Sequence, residues 1–386
     1  MTPLIDSGLT IRENEPLKLY TTFKIGGPAR YFATVSDAEH VRKAMAFARE
    51  NGLARVGAHG HAPLRVFILG GGSNILVSDR GFDGLVLHPA MKGVEAAEED
   101  SDHVSLRVAA AESWDSTVAQ AVGRGWWGIE NLSHIPGQSG AALVQNVGAY
   151  GQQLSDVLES AEVLELATGE VRTLHPDDIE MGYRRSIFNT TRKGDFFILS
   201  ITLRLSKRPR PNLHYQDVRA YFDERAVSSP SQAEIRQAII SIRDRKFPFP
   251  REERGGNAGS FFKNLVLNAE EYAALEEQVL ARFGAAQHSR LLELRKLSSS
   301  QDAIRIPAAF LISACGLKGH EIGGAKVNPS QPLVILNQGG ATADDVLRLA
   351  GHIRRTVHRE TGVALNLEPE LVGFSDQERA RYLGIE

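Results

Sequence analysis

The sequence predicts an α+β protein of more than one domain, and three observations carry that prediction. Short apolar segments bounded by turn residues crowd residues 20–207, which reads as one strand-rich domain of mixed helix and sheet. Capped amphipathic helical segments stand at intervals along the chain. Between the strand-rich part and a second unit, "SKRPRPNLHYQDV" shifts composition to prolines and basic residues and reads as a linker. A chain of 386 residues, 42% hydrophobic and 24% charged, has ample material for two or three cores.

Taken in order, "VSDAEHVRKAMAFARENG" is a helix: Ser36 and Glu39 are spaced as a capping box, Val41, Ala44, Met45 and Ala48 form an apolar stripe, and Asn51-Gly52 ends it. "RVFILGGGSNILVS" reads as a strand, a three-glycine turn and a second strand. "FDGLVLHP", "HVSLRVAA", "SAEVLELATGE" and "FFILSITLRL" supply further strands, while "EAAEEDSD" reads as an acidic loop. In "SPSQAEIRQAIISIRDRKFPFP", Ser231 and Glu234 form a second capping box, Ile235, Ala238, Ile239 and Ile242 share a face, and Pro248 and Pro250 end the helix. "TADDVLRLAGHIRRTVHRETGV" is a long amphipathic helix capped by Thr342 and stopped near Gly362, feeding a strand in "ALNLEPELVGF".

Composition excludes several classes. The formal charge of −3 offers no global attraction to nucleic acid or an anionic membrane, so a phosphate-bearing partner must be held by local groups. A single cysteine, Cys315, permits neither an intramolecular disulfide nor a cysteine-based zinc cluster, and among apolar neighbours it reads as an inert thiol. No apolar run spans a bilayer, and "MTPLIDSGLTIRENEP" lacks a signal pattern, so a cytoplasmic protein is expected; no exposed apolar helix demands a partner, so a monomer is expected. The histidines, with His59 and His61 or His352 and His358 as the nearest pairs, lack a third ligand, and no metal is assigned.

Five stretches could carry chemistry. "GGGSN", Gly70 to Asn74, suits either a tight turn or an anion-binding concavity of consecutive N–H groups; it is not a Rossmann fingerprint, for the third glycine and the following helix are missing. "IPGQSGAALVQNVGAYG", residues 135–151, combines four glycines, small side chains and three amides, as a backbone wrapping a large flat ligand would. Leu143, Val144 and Val147 argue against a solvated loop. "GYRRSIF" places Tyr183, Arg184 and Arg185 before apolar residues, and arginine reads carboxylate or phosphate through its planar fork, although a surface ion pair also accounts for it. "LEPEL" carries Glu368 and Glu370, which on a strand would share one face and suit acid–base work, or simply solvate an edge. Finally, "GNAGSFFKN" sets one hydroxyl, Ser260, between a glycine turn and two phenylalanines that demand burial.

In order along the chain, "TTFKIGG", "ILGGGSNIL", "ENLSHIPGQSGAALVQNVGAYG", "GYRRSIF", "GNAGSFFKN", "LKGHEIGGAKV" and "LEPEL" resemble the UDP-N-acetylenolpyruvoylglucosamine reductase family, in its long form with a substrate-closing tyrosine. The resemblance covers about residues 17–373. It implies an FAD-binding domain of the vanillyl-alcohol-oxidase type over residues 17–207, in two subdomains split near residue 90. A smaller α+β substrate domain would occupy 215–340, and the C-terminal helix and strand in 341–386 would return to the FAD-binding part. It further implies noncovalent FAD, held through Gly70, Gly71, Gly72, Ser73 and Asn74. In the second segment the implied contacts are Ile135, Pro136, Gly137, Gly140, Gln145, Asn146, Gly148, Ala149, Tyr150 and Gly151.

The implied reaction is NADPH-dependent reduction of the enolpyruvyl ether of UDP-N-acetylglucosamine to UDP-N-acetylmuramate, for the cell wall. Hydride reaches C3 from FAD and a proton reaches C2. By the same resemblance Ser260 donates that proton, Arg184 holds the substrate carboxylate, and Glu370 assists as acid. Tyr215, Lys246 and Asn264 are implied in binding the UDP-sugar; Gln338 stands where some members carry an acidic residue at the uracil side. The loop around residues 53–66 is longer than the family pattern. Two other readings compete: an FAD-dependent oxidase on the same cofactor fold, and a nucleotide-binding protein without activity. "GNAGSFFKN" and "LEPEL" in order argue against the first, and the joint presence of Ser260, Arg184 and Glu370 argues against the second.

Overall fold

The computed structural model describes residues 4–6, 8–53, 65–246, 255–297 and 303–384. The long loop expected around residues 53–66 falls mostly outside them. The chain divides into two compact units, Met1–Glu15, Ala29–Gly71 and Asp83–Phe249 in one, and Pro16–Pro28, Gly72–Phe82 and Pro250–Glu386 in the other. These boundaries differ from those expected along the sequence. The helices Gln216–Asp223 and Gln232–Lys246 belong with the first unit, because Val218, Phe222, Ile235, Ala238, Ile239 and Ile242 bury themselves with Trp127 and Tyr150. The C-terminal helices belong with residues 250–340.

The first unit holds two five-stranded sheets. One runs in the order Leu4–Asp6, Leu9–Pro16, Pro28–Val35, Phe82–Pro89, Val66–Ile68, its last pair parallel in the register Val66↔Leu85, Phe67↔Val86, Ile68↔Leu87. The helix Ala38–Glu50 covers it, burying Val41, Ala44, Met45 and Ala48 as its spacing predicts. Its cap is not the expected Ser36. Asp37 accepts the His40 N–H at 2.8 Å, while the Ser36 hydroxyl meets the His40 ring instead. A carboxylate one residue further on reaches the first turn's orphan donor, so the serine is displaced from that role.

The other sheet is antiparallel throughout, in the order Val171–Leu174, Leu158–Glu165, Phe196–Ser206, His103–Ala109, Val94–Glu99. Its outermost strand overturns the acidic loop expected in "EAAEEDSD". The carboxylates are exposed on a sheet edge, where charge discourages pairing with another chain. Periodicity missed it because an edge strand solvated on both faces shows no alternation.

The second unit packs the helices Ala269–Lys296, Ala308–Ala314, Ala343–Thr361 and Asp376–Leu383 around one core with short strand pairs. The helix Ala343–Thr361 has the expected punctuation: Thr342 and Asp345 cap each other's backbone, and Gly362 closes it at φ 74°. Val346, Leu347, Ala350, Ile353 and Val357 form its buried stripe, and each of its valine, leucine and isoleucine side chains contributes roughly 1.5–3 kcal/mol. The strand expected in "ALNLEPELVGF" spans only Glu370–Val372, so Glu368 precedes it and the two acids do not share a strand face. That strand pairs parallel with Ile75–Val77, in the register Glu370↔Ile75, Leu371↔Leu76, Val372↔Val77. The two strands flanking the three-glycine turn therefore enter different sheets.

Candidate active-site residues

In the first unit the two glycine-rich segments meet. A Cβ on Gly71 would stand 2.8 Å from the Gly137 Cα, and one on Gly70 would stand 2.9 Å from the Ala141 Cβ. A Cβ on Gly140 would lie 2.8 Å from that of Ala110, so this glycine packs the short helix Ser139–Val144 onto the sheet. Gly137 itself has φ 121°, a conformation other residues rarely adopt. Gln138 donates from Nε2 to the Pro89 carbonyl at 3.3 Å, yet its Oε1 is buried with no donor among the described residues. A buried acceptor left open in this way is a place for a ligand's donor.

Left-handed backbone also gathers around this segment. His134, Asn146 and Tyr150 have φ of 60°, 46° and 49°, and Arg184 has 54°. Strained non-glycine residues persist where surrounding contacts over-determine them, and such residues cluster at functional sites. Here the contacts are visible. Asn146 donates from Nδ2 to the Gly182 carbonyl at 3.1 Å, the Arg184 Nη2 donates to the Gly148 carbonyl at 3.0 Å, and Asn189 donates to the Arg184 carbonyl. The loop carrying Arg184 is thus docked on the 146–148 turn.

Tyr150 and Tyr215 meet edge to face with ring centroids 5.2 Å apart. Burial pushes the Tyr150 hydroxyl up to about 12, against the pull of the Arg243 charge beside it. Burial first, then Asp217 and Tyr183, raise the Tyr215 hydroxyl as well. Lys246, at the basic end of its helix, donates to Asp217 at 2.5 Å. The structure therefore brings Arg184, Tyr150, Tyr215 and Lys246 into one neighbourhood. It adds the buried Arg243, which donates from Nε to the His134 carbonyl at 2.8 Å. Arg243 is not singled out by the sequence motifs, although its place four residues after Ile239, on the buried face, was available as a signal.

In the second unit Ser260 is half-buried and clamped from both sides. It bridges Val334 across one edge, with Phe261 N–H on the Leu333 carbonyl at 2.6 Å; on the other edge Phe262 bridges Leu367, and Glu368 N–H meets the Phe261 carbonyl at 3.1 Å. The phenylalanines are fully buried. Asn74 ties in Glu370: its carbonyl accepts the Glu370 N–H at 3.0 Å, and its Nδ2 donates to the Glu368 carbonyl at 3.3 Å. Ser260, Asn74 and Glu370 are joined in this way by backbone bonds from three distant stretches of sequence.

Thr22, from the "TTFKIGG" motif, completes the arrangement. Its N–H donates to the Gly72 carbonyl at 3.1 Å and its hydroxyl to the Asn257 carbonyl at 2.7 Å. A Cβ on Gly72 would fall 2.0 Å from the Tyr20 carbonyl oxygen, so only glycine permits that approach. Two expected substrate residues carry structural bonds. Asn264 accepts the Ala308 N–H at 3.2 Å, starting the helix Ala308–Ala314, and the exposed Gln338 helps hold the Glu321 carboxyl below its usual range, after Lys326. Among the described residues no group of three or more His, Cys, Asp or Glu is placed to hold a metal, and no helix is long and apolar enough to cross a membrane. Burial lifts the Cys315 thiol to about 11, which leaves it protonated at neutral pH.

Comparison with known proteins bears on the same regions. A family described as an FAD binding domain matches residues 29–175. One described as the C-terminal domain of UDP-N-acetylenolpyruvoylglucosamine reductase matches residues 250–372. The glycine contact and the open Gln138 acceptor suit FAD, and together with these matches they define the class: an FAD-dependent oxidoreductase of α+β fold. The protein named UDP-N-acetylenolpyruvoylglucosamine reductase in Burkholderia multivorans is 37% identical over 369 residues, 95% of this chain and 98% of its own. Its namesake in Flavobacterium johnsoniae is 33% identical over 94% of this chain and 100% of its own. The chain belongs to the UDP-N-acetylenolpyruvoylglucosamine reductase family. A solved structure of the Thermus caldophilus reductase shares the fold, with a TM-score of 0.60 at 24% identity over 94% of this chain and 98% of that one.

Proposed function

We propose that this protein reduces the enolpyruvyl ether of UDP-N-acetylglucosamine to UDP-N-acetylmuramate, a step in peptidoglycan precursor synthesis, with NADPH as electron donor. The observation that carries the reading is the fixed Ser260, backbone-clamped between Val334 and Leu367 and linked through Asn74 to Glu370, in a member of this family. Gly70 to Asn74 and the 135–151 segment are the residues proposed to hold FAD noncovalently.

Bound FAD supplies hydride chemistry directed at C3 of the enolpyruvyl group. What remains for the chain is the charge and the proton. Hydride addition at C3 leaves an electron pair at C2, delocalised into the adjacent carboxylate. Arg184 holds that carboxylate, and its fixed guanidinium stabilises the added charge without having to reorganise. The Ser260 hydroxyl gives its proton to C2, forming the C–H bond of the saturated product, and its alkoxide is reprotonated from solvent. A hydroxyl is too weak an acid to compete in water but suffices for a carbanion when held in place. Glu370 assists as acid or by stabilising the enolic form. Tyr215 closes over the UDP-sugar, Lys246 exchanges its Asp217 partner for the diphosphate, and Asn264 and Gln338 bind the nucleotide portion. The protein acts as a cytoplasmic monomer, for which light scattering should return a mass near 42.2 kDa.

The test is NADPH oxidation by the purified flavoprotein, with and without enolpyruvyl-UDP-N-acetylglucosamine. Turnover that requires the substrate and yields UDP-N-acetylmuramate by mass spectrometry supports the reading. Turnover sustained by oxygen alone would favour an oxidase instead.

A further inference from the structure

The helix Ala343–Thr361 turns Arg348, His352 and Arg355 toward a cavity of about 570 Å³, whose remaining walls include Ile322, Arg381 and Tyr382. None of these residues is used in the reaction proposed above. The one carboxylate in the lining, Asp344, is already engaged: it accepts the Tyr382 hydroxyl, and its other oxygen lies 3.8 Å from Arg348. Arg355 donates to the Tyr382 carbonyl at 3.2 Å, and the Arg381 guanidinium lies 5.5 Å from the Tyr382 ring centroid. His352 stacks on His320, rings 4.6 Å apart and 13° from parallel. Three guanidinium groups against one carboxylate make the cavity strongly positive on a chain whose formal charge is −3.

Nothing in the helix itself calls for this arrangement. Arg348 and Arg355 stand on one face of the helix and Arg381 lines the same cavity, and like charges gathered in this way repel each other. The helix dipole favours cations only in the last turn, where His358 and Arg359 lie, and Arg348 is far from it. A bound anion would relieve the repulsion, and guanidinium forks match phosphate oxygens two at a time. The volume falls in the range of small-molecule sites, and Ile322 with the Tyr382 ring offers an apolar wall beside the charges.

We propose that this cavity is a binding site for a small phosphate-bearing metabolite, held by Arg348, Arg355 and Arg381. Inorganic pyrophosphate is the probe. Titrated into the flavin-loaded protein, it should shift the imidazole NMR signals of His352 and His320 saturably, those signals being identified by their loss in His352→Gln and His320→Gln. His352 lines the cavity and His320 stacks on it, so their signals read binding there. Arg348→Ala with Arg355→Ala, if it retains flavin, should weaken the apparent affinity about tenfold or more. Arg348→Lys with Arg355→Lys keeps the charge but loses the forks, and should fall between that variant and the parent. If the alanine pair does not fold, the lysine pair decides. Histidine signals that do not respond, or that respond equally to sodium chloride at the same ionic strength, would overturn the proposal. So would an unchanged affinity in whichever pair folds.

Discussion

At the scale of single residues, the role proposed for Ser260 would rest on position in place of acidity. Its backbone bridges Val334, and the fully buried Phe261 and Phe262 that follow it anchor the chain at that point. Ser260→Ala should leave the hydride half intact and remove the proton. In stopped flow, NADPH should bleach the flavin at the parent rate, while reoxidation by the enolpyruvyl substrate slows by roughly 10²–10⁴-fold. Equal reoxidation rates in mutant and parent would remove Ser260 from the mechanism.

Asp115 gives a second expectation at this scale, concerning stability. Burial alone would push its carboxyl up, but Arg236, bidentate at 2.6 and 3.0 Å, and the His134 N–H hold it below the usual carboxylate range. A depressed folded pKa stabilises the protein above the unfolded value of about 3.9, and that contribution fades as pH falls through the folded value. Asp115→Asn should therefore cost about 1–3 kcal/mol in urea unfolding at pH 7. The difference from the parent should shrink as unfolding is repeated below about pH 4. A difference that stays constant with pH would mean the ion pair does not carry it.

At the scale of elements, the first unit's two glycine segments act as one piece. Gly71→Ala places a methyl 2.8 Å from the Gly137 Cα, where backbone must move because no flexible side chain can yield. The contact also lies beside the open Gln138 acceptor, so the loss should fall first on FAD. The variant should emerge from gel filtration with markedly less flavin than the parent, and Gly52→Ala serves as the control. Among the described residues Gly52 has no atom within 4 Å of its added Cβ, and its φ is 66°. Flavin retained equally by both variants would separate this contact from cofactor binding.

At the scale of the whole molecule, FAD binding and folding are linked. A ligand that binds only the native state stabilises it by about 2.7 kcal/mol at a concentration one hundred times its Kd. Stripping the flavin should lower Tm, and added FAD should restore it in a concentration-dependent way. Denaturation followed by removal of the polypeptide should leave the yellow chromophore in solution, since no covalent tether is proposed. Flavin that stays with the precipitated chain would refute noncovalent binding.

The sequence by itself determined the local grammar: the stripe and stops of the helices Ala38–Glu50 and Ala343–Thr361, the capping box at Ser231, most of the strands, and the family motifs in their order. These are readable because capping, turn conformation and periodicity depend on residues within a few positions of one another. Tertiary structure alone decided the rest. It made the acidic stretch Val94–Glu99 an edge strand, gave Asp37 rather than Ser36 the helix cap, and sent the strands on either side of the glycine turn to different partners. It also joined Ser260 to Asn74 and Glu370, docked the Arg184 loop on Gly148, and left the Gln138 acceptor buried and open. Each of these depends on a backbone group or side chain finding a partner far away in sequence, and no local pattern records which partner that is.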